Sequence, residues 1–238
     1  NDNFEIKGKV YAFDSSTIDL CLSVFWWAKF RKTKGGIKLH TLYDITTQIP
    51  AFIHITSASV NDMNAMDFIQ YEPDAYYIFD RGYVDYSRLY KITSHSAYFV
   101  IRAKSNLKFE RMYSNKIDKT TGVWCDQIGK LTGFYVSKQY PEKLRRIKFF
   151  DKESGRIFIF LTNNMELTAE QVAMLYKNRW QIELFFKWIK QHLKIKSFWG
   201  TSENAVRIQI YSAIIAYCLV AIVGHDLKID RSTYEILQ

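Results

Sequence analysis

Proline and glycine are scarce in this 238-residue chain, at three and ten residues. That scarcity, with 48% hydrophobic and 24% charged residues, excludes an extended or low-complexity polypeptide. Cysteine is as scarce: Cys21, Cys125 and Cys218 are odd in number, far apart and without CxxC spacing. This excludes a disulfide scaffold, argues against a zinc site and fits a reducing compartment. No clean apolar run reaches the roughly 18–20 residues of a membrane helix. The most apolar stretch, Ile208 to Val223, contains Gln209, Ser212 and two tyrosines, so a buried helix is expected there and no membrane partner. The opening residues, NDNFEIKGKV, hold neither Met nor a signal-peptide pattern and read as part of an internal fragment. The five histidines show no metal spacing; His40 and His54 fall in expected strands and read as structural.

Acidic residues are also few against the basic ones, leaving a formal charge of +9. Such an excess favours a polyanionic partner such as nucleic acid, although a solubility charge on an ordinary enzyme would look the same. The length suits one substantial core, or one core carrying an insertion.

Along the chain, VYAF before Asp14 reads as a short strand ending at a carboxylate. Gly36 to Ile45 and Ile49 to Ser59 read as a hairpin, and SVNDMNAMDFI as a helix. AYYIF then forms a strand ending at Asp80, DYSRLYKITSHS a helix and AYFVIRAK a strand. This order, hairpin strands followed by a βαβ unit, predicts an α/β fold: a mixed sheet flanked by helices. From about residue 106 glycines punctuate the chain, and FYVSKQY, LRRIKFFD and RIFIFLT read as strands, with DKESG as a turn between the last two. The expected layout is a core segment over 1–105, a β-rich insertion over 106–163 and a helical return to the core over 164–238. That return opens with a capping box, Thr168 with Gln171, and is expected to run unbroken to about Leu193, before a last helix over roughly 202–225.

Within it, YKNRWQIELFFKWIKQHL holds a single acid, Glu183. At 100° per residue Tyr176, Arg179, Glu183, Lys187, Lys190 and Lys194 share a strip about 80° wide. Trp180, Ile182, Leu184, Phe185, Phe186, Trp188 and Ile189 occupy an arc of more than roughly 200°, far wider than an ordinary surface helix hides. Helical ion pairs such as Arg179–Glu183 would account for part of the strip. Four cations around one carboxylate are more than pairing needs, and they suit phosphate contacts.

Asp14 and Asp80 each come directly after an apolar strand, where functional groups of such sheets gather. Asp is unfavourable in strands, so either each caps the adjoining turn or helix, or the two serve a site. Two strand-end aspartates and a helical glutamate offer the hard oxygens that one or two Mg²⁺ ions require. Of the rival acids Asp44, Asp62 and Asp85, Asp85 is expected to cap the following helix and Asp62 lies in a helix start. The basic stretch Lys29, Arg31, Lys32, Lys34 and Lys38 surrounds an expected Gly-Gly turn; it is either a solvated loop or a DNA-backbone contact.

These motifs resemble the catalytic domain of bacterial DDE transposases of the insertion-sequence-four family, over nearly the whole chain. The most specific element is Tyr, two residues, Arg, three residues, Glu, six residues, Lys, here Tyr176, Arg179, Glu183 and Lys190. RWQIELFFKWIKQHLKIKSFWG, FDSSTIDLCLSVFWWAKFRKTKGGIKLH and FDRGYVD carry the rest of the likeness. The resemblance implies a ribonuclease-H-like fold interrupted by a β-rich insertion. It implies that Asp14, Asp80 and Glu183 ligate two Mg²⁺ or Mn²⁺ ions, and that Tyr176, Arg179 and Lys190 contact phosphates of the transposon end. Tyr83 matches the aromatic position after the second aspartate. The activity implied is metal-dependent cleavage at transposon ends, freeing a 3′-hydroxyl, and strand transfer into target DNA. The partners implied are both DNAs and a second copy of the protein, in the bacterial cytoplasm at the nucleoid. Some relatives flip a base onto a tryptophan of the insertion, where this chain has only Trp124. A repair or restriction nuclease of the same fold, or a DNA-binding protein that has lost catalysis, are the alternatives.

Overall fold

The computed structural model describes residues 6–192, 198–229, 231 and 233–237; Leu193 and Lys194 lie outside them. The chain divides into two compact units, Asn1–Tyr11 with Gln70–Arg179, and Ala12–Ile69 with Trp180–Gln238. Strand β1 (Val10–Leu20) contributes to both.

The first unit contains the expected βαβ element. β5 (Tyr76–Phe79) and β6 (Tyr98–Arg102) run parallel, joined by α1 (Tyr86–Ser94). Their YYIF and YFVIR sequences are apolar almost throughout, as strands covered on both faces require. The start of β1 lies beside β5, with the Tyr76 amide donating to the Lys9 carbonyl at 2.8 Å and Tyr11 stacked on Tyr77. On the other side of β6 the sheet continues antiparallel through β10 (Arg156–Thr162), β9 (Leu144–Asp151), β8 (Val123–Leu131) and β7 (Phe109–Ser114). DKESG makes the β9–β10 turn, with Gly155 at φ 65°. Asp85 caps α1 by accepting from the Arg88 amide at 3.0 Å, as its position suggests.

Residues Phe134–Gln139, expected as a strand, form a short helix, α2. Aromatic and β-branched composition favours a strand, but Gly133 turns the chain at φ 108° and only Tyr140 is drawn into the core. Its hydroxyl meets Thr93 Oγ1 at 2.8 Å. Phe134 and Tyr135 are left outside.

In the second unit β2 (Lys29–Arg31) and β4 (Ile49–Ser57) both pair with one long strand, β3 (Lys34–Asp44). β3 pairs antiparallel with β4 from Ile37↔Ser57 to Asp44↔Ile49 and is flanked on its other edge by β1. The hairpin is therefore as expected, but Gly35 and Gly36 are not its neighbour's turn. They lie inside β3, buried, where a Cβ would stand 3.0 Å from the Leu20 and Ile18 carbonyls. The glycines allow two backbones to close up, and the turn falls at Lys32–Thr33 instead. β1 also differs from expectation: it runs on through Asp14 to Leu20, because Thr17 and Ile18 extend its β-forming sequence. Asp14 is thus mid-strand. SVNDMNAMDFI forms a 3₁₀ turn, Asp62–Phe68, and no full α-helix.

The expected single helix after Thr168 is two. The capping box is present, and α3 (Ala169–Lys177) follows it. At Asn178–Arg179 the ladder tightens, the Arg179 amide reaching the Tyr176 carbonyl three residues back. Helix α4 (Trp180–His192) then begins afresh. It buries Ile182, Phe185, Phe186, Trp188 and Ile189, while Glu183, Lys187 and Lys190 are exposed. Trp180, placed by the wheel on the enclosed arc, is half exposed, because the new helix start frees its first residue.

Helix α5 (Glu203–Asp226) and the one-turn α6 (Thr233–Ile236) complete this unit. α5 was expected to be buried, and only one side is. Val206, Ile210, Ile214, Tyr217 and Ala221 face the core, whereas Ile208, Tyr211, Ile215, Leu219 and Val223 are exposed. An all-round apolar sequence carries no moment that would reveal which side is hidden. By length and composition α5 alone, among the described residues, could cross a membrane.

The core of the unit is aromatic. Phe185 packs on Tyr43 and Tyr217 at 5.5 and 5.0 Å, and the two tyrosine hydroxyls bond each other at 2.8 Å. His40 is fully buried on β3, its Nε2 2.8 Å from Thr56 Oγ1, and burial lowers its pKa to about 4. It is structural, as read. Replacing Phe185 by Ala should cost about 3–5 kcal/mol in urea-induced unfolding, and by Leu markedly less. His40 adds an acid limit: its folded pKa lies below the usual 6.5, so stability is whole above that pH and falls as pH drops towards about 4. Unfolding midpoints measured across pH 4–7 should show that loss, and His40→Gln should remove it.

Candidate functional site

Asp80 follows β5 directly, at the carboxyl end of a parallel strand. It precedes a 3₁₀ turn, Arg81–Tyr83, whose Tyr83 amide bonds the Asp80 carbonyl at 3.0 Å. The Asp80 side chain makes no capping bond, so capping does not explain its presence. Instead the Tyr176 hydroxyl donates to its Oδ1 at 3.3 Å, across 96 residues of sequence. Tyr176 sits in the last turn of α3, its ring held against Phe160 at 4.8 Å and Phe158 at 6.2 Å. Burial pushes its pKa up to about 12, with the guanidinium of Arg179 pulling the other way. The hydroxyl therefore keeps its proton at any working pH and serves only as a donor towards the carboxylate. Arg179 lies 5.9 Å from the centre of the Tyr176 ring.

Sequence reasoning missed Arg102. The register Phe79↔Ile101 sets it beside Asp80 as the next residue of the adjacent parallel strand. Its guanidinium lies over Phe158, 5.1 Å from the ring centre, and its charge acts on Tyr176. The signal was available: AYYIFD and AYFVIR end one aspartate and one arginine at the same edge if the strands are parallel. Tyr83 is buried and packs against Phe79 at 6.1 Å, so its ring is a support for the Asp80 turn, with no exposed stacking face.

In the second unit Asp14 is half-buried and its Oδ1 accepts from the Ser15 amide at 2.8 Å. Glu183 lies in the first turn of α4, a consequence of the break before Trp180. A carboxylate there is favoured by the helix dipole. Lys187 is drawn over the Tyr234 ring at 5.4 Å, whereas Lys190 points out from the next turn. Lys29, Arg31, Lys32 and Lys34 are all exposed on the β2–β3 hairpin. Lys38 is set apart from them: it bonds the Val60 carbonyl at 2.8 Å and pairs with Asp62 at 2.9 Å. Among the described residues, no group of three or more His, Cys, Asp or Glu side chains forms a ready-made metal site.

Comparison with known proteins identifies the family. The family described as Transposase DDE domain matches residues 5–219. A putative transposase, y4zB, of Sinorhizobium fredii is 40% identical over 215 residues, 89% of this chain and 59% of that protein. A probable transposase for insertion sequence element IS5377 of Geobacillus stearothermophilus is 31% identical, covering 87% and 54%. A putative transposase for element IS4SA of Synechocystis is 26% identical, covering 89% and 59%. The chain thus spans between half and three-fifths of the length of these relatives. Among solved structures, the piggyBac transposase synaptic complex with hairpin DNA has the same fold, with a TM-score of 0.53 at 10% identity, over 98% of this chain and 51% of that one.

The Tyr176 contact sets an alkaline limit. Its folded pKa of about 12 lies above the ordinary 10, so stability is complete below pH 10 and is lost as pH rises through about 12. Absorbance titration of the wild type minus Tyr176→Phe should yield a single tyrosine ionising in that upper range; a difference curve centred near 10 would contradict the burial described.

Proposed function

The chain belongs to the DDE transposase family, and on that premise we propose that it cuts DNA at transposon ends to free a 3′-hydroxyl and joins that end to target DNA by transesterification. One observation carries the reading. The Tyr176 hydroxyl meets Asp80, so the tyrosine of the Tyr-Arg-Glu-Lys motif and the second aspartate, far apart in sequence, adjoin. A fold-keeping protein without catalysis has no need of that contact or of three carboxylates.

Asp14, Asp80 and Glu183 are hard oxygen donors of the kind that would hold the divalent metal on which the family depends; Mg²⁺, with Mn²⁺ as substitute, is the ion proposed. When bound, the metals activate the attacking oxygen and stabilise charge on the leaving one. The side chains supply the rest. Tyr176, protonated near neutral pH, donates to Asp80 and holds that carboxylate in one orientation. Arg179, Lys190 and Arg102 would each offer positive charge to phosphates beside the cleaved bond, where charge grows in the transition state. Lys29, Arg31, Lys32 and Lys34 grip the backbone further along the duplex, without reading its sequence.

The partners on this reading are double-stranded DNA, as element end and as target, and a second copy of the protein when two ends are paired. The place of action is the bacterial cytoplasm, at the nucleoid. Residues 1–105 and 164–238 form the catalytic core, with 106–163 a β-rich insertion in it.

The test uses labelled element-end DNA, Mg²⁺ and a target plasmid, with the wild type and Glu183→Gln. Cleavage and joined products should both fall by a factor on the order of 10³ in the variant. Cutting without joining would instead identify a nuclease, and end binding without cutting a DNA-binding protein. Neutralising Lys29, Arg31, Lys32 and Lys34 together should weaken end binding across all sequences and reduce the dependence of affinity on salt.

A further inference from the structure

Two segments of the second unit, 25–28 and 198–202, are held side by side. Phe25 is buried and packs on Phe198 at 5.7 Å, and the Trp27 indole nitrogen donates to the Thr201 carbonyl at 2.8 Å. The later segment is also tied to α5. The Trp199 amide donates to Gln209 Oε1 at 3.1 Å, and Ser202 caps the helix by accepting from the Ala205 amide at 3.2 Å. Gly200 allows the close approach, since a Cβ there would stand 2.6 Å from that of Ala205. Both backbones are therefore fixed. Yet Trp26 is 78% exposed and Trp199 96%, more than any other large apolar side chain of the described residues.

An indole left in water adds nothing to the stability of the fold, and the charges beside this pair point to a polyanion. The 3₁₀ turn Trp26–Ala28 leads straight into the β2–β3 hairpin, whose Lys29, Arg31, Lys32 and Lys34 are exposed. Of the acids nearest in sequence, Glu203 is paired with Arg207 at 2.7 Å and Asp19 is exposed on β1. A DNA duplex carries negative charge along its whole length, and its apolar surface lies between stacked base pairs. Apolar side chains on a basic protein surface reach that surface by wedging into a base step, which partly unstacks and kinks the duplex. The spacing suits this. Trp26 and Lys29 are at most about 11 Å apart along the chain, the length of about three base-pair steps, so cations flank the step that the ring enters.

We propose that Trp26 and Trp199 form a wedge that enters one base step of the duplex held by the β2–β3 hairpin and kinks it there, by roughly 20–90°. Base pairing is kept, and only the stacking at that step is lost. A pyrimidine–purine step such as TA opens more easily than an A-tract. The wedge therefore gives the protein a preference among sequences that the hairpin cations, which touch only phosphate, do not supply. The inference rests on the transposase reading, in which this hairpin grips DNA, and the two fail in different ways.

The measurement is energy transfer between dyes at the two ends of a short duplex, with element-end and unrelated sequences each built around a central TA step or an A-tract. The wild-type chain should raise the transfer on the TA duplexes and bind them about tenfold more tightly than the A-tract ones. A 2-aminopurine beside the TA step should brighten as it unstacks. Trp26→Ala/Trp199→Ala should abolish the bend, the brightening and the preference. The same variant should keep the wild-type affinity for A-tract duplexes and its salt dependence, because the cations are intact. Trp199→Leu, still an apolar wedge, should keep part of the bend. Because both rings lie in solvent, unfolding midpoints should stay at the wild-type value. A bend on both sequences supports a wedge for any duplex that the hairpin grips, and a bend on one assigns it to that DNA. Bound duplexes that stay straight, or a bend that survives the double substitution, overturn the wedge and leave the transposase reading standing. Failure of the wild type to bind either sequence overturns both.

Discussion

Burial of Ile182, Phe185, Phe186, Trp188 and Ile189 is the constraint on which the candidate chemistry depends. With Phe185 wedged between Tyr43 and Tyr217, and those two hydroxyls bonded to each other, α4 has one rotational setting in its unit. That setting leaves a narrow strip for Glu183, Lys187 and Lys190. An ordinary amphipathic helix could roll by some tens of degrees at small cost. Here a roll would expose aromatic surface worth several kcal/mol, so the carboxylate is held where the helix puts it.

The first unit uses a different device. A parallel strand pair brings Asp80 and Arg102 to one edge, and the largely buried ring of Tyr176 extends its hydroxyl to the carboxylate. Each charged or polar group thus stands on a regular element whose own packing is apolar. Scaffold and chemistry are separated by side-chain direction: Tyr76, Tyr77, Ile78 and Phe79 are all buried, and the next residue is the acid.

Much of this was legible in the sequence, because the signals were local. The Tyr176-to-Lys190 spacing, the Thr168 capping box, the β3–β4 hairpin and the strand ending at Asp80 all arise within a few residues of each other. Misreadings came where a neighbour decided the outcome. Gly35 and Gly36 look like a turn, yet serve the close approach of β1 to β3. FYVSKQ has strand composition, yet Gly133 starts a helix there. Asp14 looks like a strand end, yet the strand continues past it. The unbroken helix expected after Thr168 stops at Asn178 because the backbone tightens into a three-residue turn, which no periodicity announces.

The sequence by itself determined which chemistry is on offer: three carboxylates, a motif of one tyrosine, one arginine and one lysine at set intervals, and an excess of positive charge. Those are matters of residue type and spacing along one chain. Only the tertiary structure decided that Tyr176 meets Asp80, that Arg102 joins them, that Tyr83 is buried, and that Phe134 and Tyr135 stand in solvent. Each of those outcomes is a contest for burial between residues distant in sequence, and a free energy of that kind depends on which surfaces pack together and is not carried by any one segment.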